Sequence, residues 1–259
     1  SVNKRLSIPN DSLSASSFFY SSDIWNHVLY SYIIGNYSTI KINNVQKIDL
    51  PSIENSSLDN NLIYKSKLKN SIFSLSMYIA KYNNIFFSSS GLNLLELFKL
   101  NFSLSQPPSI PIFPNIKNFS YDDNFRGWDL SKLTINNDFE SIITKLIPFY
   151  LPKIFLEGFN YCMELVQNMT LPKSPNVICT TKDHFSNDLF KLWAVNKISK
   201  GTRLIIGQHG GGSFYRYSGG MSYEYSISDA YLTTGNHSRN YGNKCKNIGQ
   251  IFNRLKYKK

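Results

Sequence analysis

The spacing of apolar and polar positions changes along the chain. From Phe18 to Ile48, FFYSSDIWNHVLYSYIIGNYSTIKINNVQKI spaces its apolar residues helically in its first half and alternates like a strand in STIKINNV. Leu62 to Tyr82 and Leu92 to Leu100 predict further short elements. Between Gln106 and Leu130 the pattern breaks down: QPPSIPIFPNIKNFSYDDNFRGWDL carries four prolines and few periodic positions. That composition predicts an extended loop packed by its aromatics, serving as a linker or a lid.

The second half is more regular. Asn137 or Asp138 caps a predicted helix with Phe139, Ile142, Ile143 and Leu146 on one face, and Pro148 and Pro152 kink or restart it into IFLEGFNYCMELVQNM. SPNVICTT reads as a buried strand. Ser186 or Asn187 then caps a helix through LFKLWAVNKISK, with Trp193 in the core and Gly201 closing it. TRLIIGQ is the next strand. Strand, helix and strand in this order form a βαβ unit, which implies a parallel sheet covered by helices. A helix through MSYEYSIS and a strand DAYLTT continue the alternation, so the fold class is α/β with a Rossmann-like parallel sheet.

Composition narrows the setting. The 259 residues include 42% hydrophobic positions, enough for a core of one large or two small domains. The net charge of +11 favours anionic partners, although the abundance of Asn, Ile, Lys, Tyr and Ser is what an AT-rich genome produces without selection. Cys162, Cys179 and Cys245 are too scattered for a disulfide framework or a metal site, which points to a reducing, cytoplasmic interior. No apolar run approaches the roughly 20 residues of a membrane helix, so a membrane would be met peripherally, at its inner face.

The candidate chemistry gathers where ligands of open parallel sheets sit, beyond the carboxyl ends of the strands. GTRLIIGQHGGG (201–212) places Gln208, His209, Gly210, Gly211 and Gly212 there. Three glycines let backbone amides approach an anion, and an imidazole moves protons near neutral pH. The alternative is a plain turn with His209 capping a carbonyl. Asp183 and His184 follow the VICTT strand at the same edge, where helix capping is the competing account for Asp183 and Asp188. Glu224 opens the MSYEYSIS helix, either solvated, or orienting the imidazole or binding a sugar hydroxyl. Glu157, in the apolar stretch IFLEGF, either pairs with an Arg or Lys or faces the cleft. Asp229 either caps a helix or touches the cleft. His184 and His209 match no metal-ligand spacing, and no metal and no cofactor are expected.

In sequence order, LPKIFLEGF (151–159), DHFSNDLFKLWAVNKISKGTRLIIGQHGGG (183–212) and YEYSISDAYLTTG (223–235) resemble transferases of bacterial surface-carbohydrate biosynthesis. The shared pattern is an LEG helix, an F-K-x-W-x-A helix, QHGG-x-Y, a nearby Glu and D-x-Y-L-x-x-G. The resemblance implies a GT-B glycosyltransferase whose first lobe is present and whose second is largely missing. Residues 1–130 would form the first part of that lobe, 131–240 its βαβ portion, and 241–259 the start of a second lobe or a tail. It also implies a nucleotide-sugar donor and a glycan acceptor, cell-surface polysaccharide or lipid-linked, with Kdo transfer as one form. On this reading His209, Glu157 and Glu224 are catalytic, while Gln208, Gly210, Gly211, Gly212, Asp183, His184 and Tyr215 bind substrate. The chain departs from the pattern at GGGSFYRYSGG, where the family has a tighter turn, and at TTG in place of TWG.

Two other classes compete. A non-catalytic carbohydrate- or partner-binding domain derived from such an enzyme would use the 15% aromatic content for stacking. A nucleic-acid binder would account for the charge, but the Lys and Arg residues are dispersed and no binding motif occurs, so no nucleic-acid partner is expected.

Overall fold

The computed structural model describes residues 8–21, 26, 29–31, 33–35, 74–111, 113–128, 130, 133–209, 219–234 and 242–249. The strand expected in STIKINNV lies outside them, as do Gly210, Gly211, Gly212 and Tyr215. The chain divides into two units, residues 1–59 with 115–164 and residues 60–114 with 165–259.

The second unit holds the sheet. Five strands, β1 (Ile85–Ser88), β2 (Val177–Thr180), β3 (Arg203–Gly207), β4 (Ala230–Thr233) and β5 (Cys245–Asn247), are all parallel and lie side by side in chain order. This is an α/β parallel sheet of the expected class. No reversal of strand order occurs among the described strands, so the position of the site is set by the carboxyl edge rather than by a switch point. Residues 245–247 pair with β4 and form the last strand of this sheet.

Alternate strand residues explain the core. Phe86, Ile178, Leu204, Ile206 and Tyr231 are buried on one face, while Phe87, Cys179, Ile205 and Leu232 between them are half-buried. The buried face is covered by α7 (Asp188–Ile198), whose Trp193 meets the Phe86 ring edge-on with centroids 4.8 Å apart. Asn187 caps this helix by accepting from the Phe190 amide, and Gly201 at φ +98° reverses the chain after it. The preceding single turn, α6 (Asp183–Ser186), and the later α8 (Gly219–Ile227) complete the crossovers around β3. Before β2, helical residues 74–79 (α2) run into a 3₁₀ turn, Ala80–Tyr82, and α3 (Leu94–Ser103) starts with a reciprocal capping box of Asn93 and Glu96.

The first unit contains α1 (Ser12–Ser21), α4 (Asp138–Tyr150) and the start of α5 (Phe159–Asn168). Asn137 caps α4 as expected, but its predicted apolar face is not a core face. Leu146 is buried, whereas Phe139 is 69% exposed and Ile143 is exposed as well. The extended loop does exist: Asn10 pins it by donating to the Lys117 carbonyl and accepting from the Phe119 amide, and the Lys153 ammonium donates to the Phe119 carbonyl at 2.7 Å. Among the described residues no helix is long and apolar enough to cross a membrane.

Candidate functional site

His184 and His209 are both carried by segments that leave the carboxyl end of a strand. β1 ends at Ser88, β2 at Thr180 and β3 at Gly207, so the segments 88–90, 181–184 and 208–209 emerge together. The loop after β2 is tied to β1. Asp183 is buried and accepts hydrogen bonds from the hydroxyls of Ser88 and, at 2.7 Å, Ser89, while Thr181 donates its hydroxyl to the Ser89 carbonyl. The Asp183 amide in turn donates to Thr180 Oγ1 at 3.1 Å. Asp183 is thereby an anchor for the loop rather than the helix cap the sequence offered, and it fixes the backbone next to His184.

His184 is 4% exposed. Its Nε2 lies 3.0 Å from Glu224 Oε1, and the second oxygen of Glu224 accepts from the Tyr231 hydroxyl at 2.7 Å. The three residues come from α6, α8 and β4 and form one buried chain of hydrogen bonds. Glu224 is thus neither solvated nor attached to His209: the imidazole it orients is that of His184. In the neutral ring, a carboxylate accepting the Nε2 proton leaves Nδ1 with a lone pair. Burial, and then the Glu224 carboxylate, push the Tyr231 phenol well above its ordinary value, so its proton stays in place to donate.

His209 follows β3, half-buried, with its ring stacked over Phe185 at 5.9 Å between centroids and 15° between planes. The His184 and His209 rings are 6.4 Å apart. Nδ1 of each is buried and has no hydrogen-bond partner among the described residues. Buried polar atoms are nearly always paired in native proteins, so these two nitrogens are open positions in the hydrogen bonding of the described residues and make this edge the candidate site. Gln208 beside them is 1% exposed, and its side-chain oxygen accepts from the amide and hydroxyl of Thr234 at 2.9 and 3.0 Å. It joins the ends of β3 and β4 and so sets where the chain leaves the sheet before the glycine run.

Glu157 has its own setting in the first unit. Arg126 grips it with both prongs, Nε to Oε1 at 2.6 Å and Nη2 to Oε2 at 2.7 Å. The remaining Nη1 donates to the carbonyls of Pro148 at 2.6 Å and Leu151 at 3.1 Å, capping the end of α4. Of the two readings the sequence left open, the pairing with a basic residue is the one present. Burial raises the Glu157 carboxyl, but the hydrogen bonds and charge of Arg126, with the Glu157 and Asp122 amides, outweigh it and hold the group below its ordinary value. The neighbouring Gly158 is required by packing: a Cβ there would lie 2.4 Å from Cε2 of the buried Phe119 ring. Asp229 likewise belongs elsewhere. Its carboxylate accepts from the Leu204 amide at 2.7 Å, at the amino edge of the sheet and away from the cleft.

Sequence reasoning missed Ser88, Ser89 and Tyr231. Ser88 closes a strand it did not predict and Ser89 follows that strand, while Tyr231 passes for an ordinary core residue. Among the described residues no group of three or more His, Cys, Asp or Glu side chains is placed to hold a metal ion.

Comparison with curated proteins and with solved structures gave no match. The profile described as LIC12162 family transferase matches residues 4–258, nearly the whole chain. The protein therefore belongs to the LIC12162 family of transferases.

Proposed function

We propose that the protein transfers a sugar from a nucleotide-sugar donor to a cell-surface polysaccharide or lipid-linked glycan, with His209 taking the proton of the acceptor hydroxyl. The observation that carries this reading is the pair of imidazoles at the carboxyl edge, each with a buried Nδ1 that no described residue pairs. The transferase family and the QHGG and DAYLTTG segments support it from the side of sequence.

In such a transfer the acceptor oxygen forms a bond to the anomeric carbon while the bond from that carbon to the donor phosphate breaks. The bonding pair leaves with the nucleotide and the hydroxyl proton passes to His209. His184, neutral and with its Nε2 proton on Glu224, offers Nδ1 as an acceptor to a sugar hydroxyl and so positions the substrate. The resemblance gives Gly210, Gly211, Gly212 and Tyr215 to substrate binding, and all four lie outside the described residues. Glu157, held by Arg126, maintains the scaffold of its unit.

The test is transfer from a panel of UDP-, GDP-, CDP- and CMP-linked sugars, CMP-Kdo included, to glycan acceptors. His209→Ala is expected to lower kcat by about 10²–10⁴-fold with little change in KM. His184→Ala should act mainly on KM. Retention of full transfer by the His209 variant would remove the proposed base, and failure of every nucleotide sugar to bind the wild-type protein would remove the reading altogether.

A further inference from the structure

The edge of the sheet opposite the histidines carries a second surface, argued independently of the proposed transfer. Lys173 before β2, Lys197 and Lys200 at the end of α7 and Arg203 at the start of β3 line one cleft of about 490 Å³ with Asn176 and Thr202. Among the described residues no carboxylate lines it, and none of the four cations has an acidic partner within ion-pair distance. Asp229 at the same edge is directed to the Leu204 amide. Lys197 donates to the Lys173 carbonyl at 2.8 Å, and burial together with Lys200 lowers its pKa, which a bound anion would relieve.

An apolar surface adjoins these charges. The Lys173 amide donates to the Lys81 carbonyl at 3.0 Å, holding the 3₁₀ turn after α2 beside the cleft. On that segment Leu75, Tyr78, Ile79 and Tyr82 are all more than half exposed, Tyr82 at 71%. Lys81 Nζ sits over both tyrosine rings, 4.2 and 5.1 Å from their centroids.

We infer that this amino edge docks on an anionic lipid bilayer, the cations meeting phosphate headgroups and the exposed tyrosines and aliphatics entering the interface. Both halves of the surface are needed for this. A free phosphate accounts for the cations but not for four exposed apolar side chains beside them. A second copy of the chain on a two-fold axis would bring the same cations face to face. Amphipathic tyrosines flanked by lysines are what the headgroup region accepts. Because the strands are parallel, a bilayer at their amino ends leaves the carboxyl edge, with His184 and His209, uncovered.

Co-sedimentation with vesicles tests this, using phosphatidylcholine alone and phosphatidylcholine mixed with phosphatidylglycerol. Binding is expected only to the mixed vesicles and should weaken with added salt. Each cation near the surface is worth on the order of fivefold in partition, so K200E/R203E should lower binding by about 25-fold or more. K99E/K246E, which changes the net charge equally at exposed positions outside the cleft, should leave it nearly unaltered. Tyr78→Ser with Tyr82→Ser should weaken binding at constant charge. Should K200E/R203E lose its native circular dichroism, K200Q/R203Q replaces it. Equal binding to both vesicle types, equal loss in the K99E/K246E control, displacement by millimolar inorganic phosphate, or a dimer abolished by K200E/R203E would each overturn the inference.

Discussion

Replacing Arg126 by Met removes the charge that compensates Glu157 while keeping much of the side-chain volume. Arg126 is 3% exposed and makes two bonds to the carboxylate and two to the carbonyls of Pro148 and Leu151. Breaking a buried pair from one side leaves a lone charge and costs about 3–5 kcal/mol. In R126M/E157L the carboxylate is gone as well. What remains is the loss of a donor to two carbonyls and of an acceptor for the Asp122 amide, so the double variant should fall short of wild type by only about 1–3 kcal/mol. The pH dependence has a definite sign. In the wild type Glu157 is held below its ordinary value, so its stabilisation is present at neutral pH and is lost as pH falls through its folded pKa. In R126M burial acts without its main opponent and raises the carboxyl, so the destabilisation is greatest at neutral pH and narrows on acidification towards the ordinary carboxylate value of about 4.3. Urea unfolding at several pH values, followed by fluorescence and circular dichroism, measures both effects. A loss below about 1 kcal/mol in R126M, or a double variant no more stable than R126M, would refute the view of this pair as a buried, mutually dependent unit.

Two further outcomes rest on the same reasoning. Tyr231→Phe strips the hydroxyl from Glu224 Oε2 and should cost about 1.5–3 kcal/mol in urea unfolding, the usual worth of a hydrogen bond to a charged group; an unchanged midpoint would mean that Glu224 does not depend on it. Gly158→Ala drives a methyl into the Phe119 ring and should cost about 1–3 kcal/mol in thermal unfolding, with part of the loss recovered when Phe119 is shortened to Leu.

Local patterning carried the βαβ region well. Asn187 before Asp188–Ile198, Gly201 after it, and the apolar runs of β2, β3 and β4 all lie within short stretches whose signals agree. β1 escaped because IFFS is a four-residue run that no period distinguishes, and its partner β2 begins 92 positions later. The face of α4 was misjudged because helical spacing identifies an apolar stripe but not whether anything covers it. For the candidate site, the edge and its two histidines were legible from strand direction. The partner of Glu224 was not, since His184 lies 40 positions away and only the crossover geometry brings them together. Glu157 was ambiguous for a similar reason: Arg126 sits in a proline-rich stretch with no periodic signal to aim it.

The ties from Ser88 and Ser89 to Asp183 span 95 and 94 positions, the longest-range constraints on the loop that carries His184. β2, β3 and β4 pair with sequence neighbours, whereas β1 joins them only after a long stretch of chain has been closed, a step that is entropically costly and slow. The expected order of assembly is central strands first and β1 afterwards. A polypeptide that has formed the central strands but not yet docked residues 85–89 has a sheet without a settled histidine loop. The setting of the histidine loop therefore depends on the docking of β1, and a cut between Ser89 and Val177 should unsettle that loop before it unsettles the sheet.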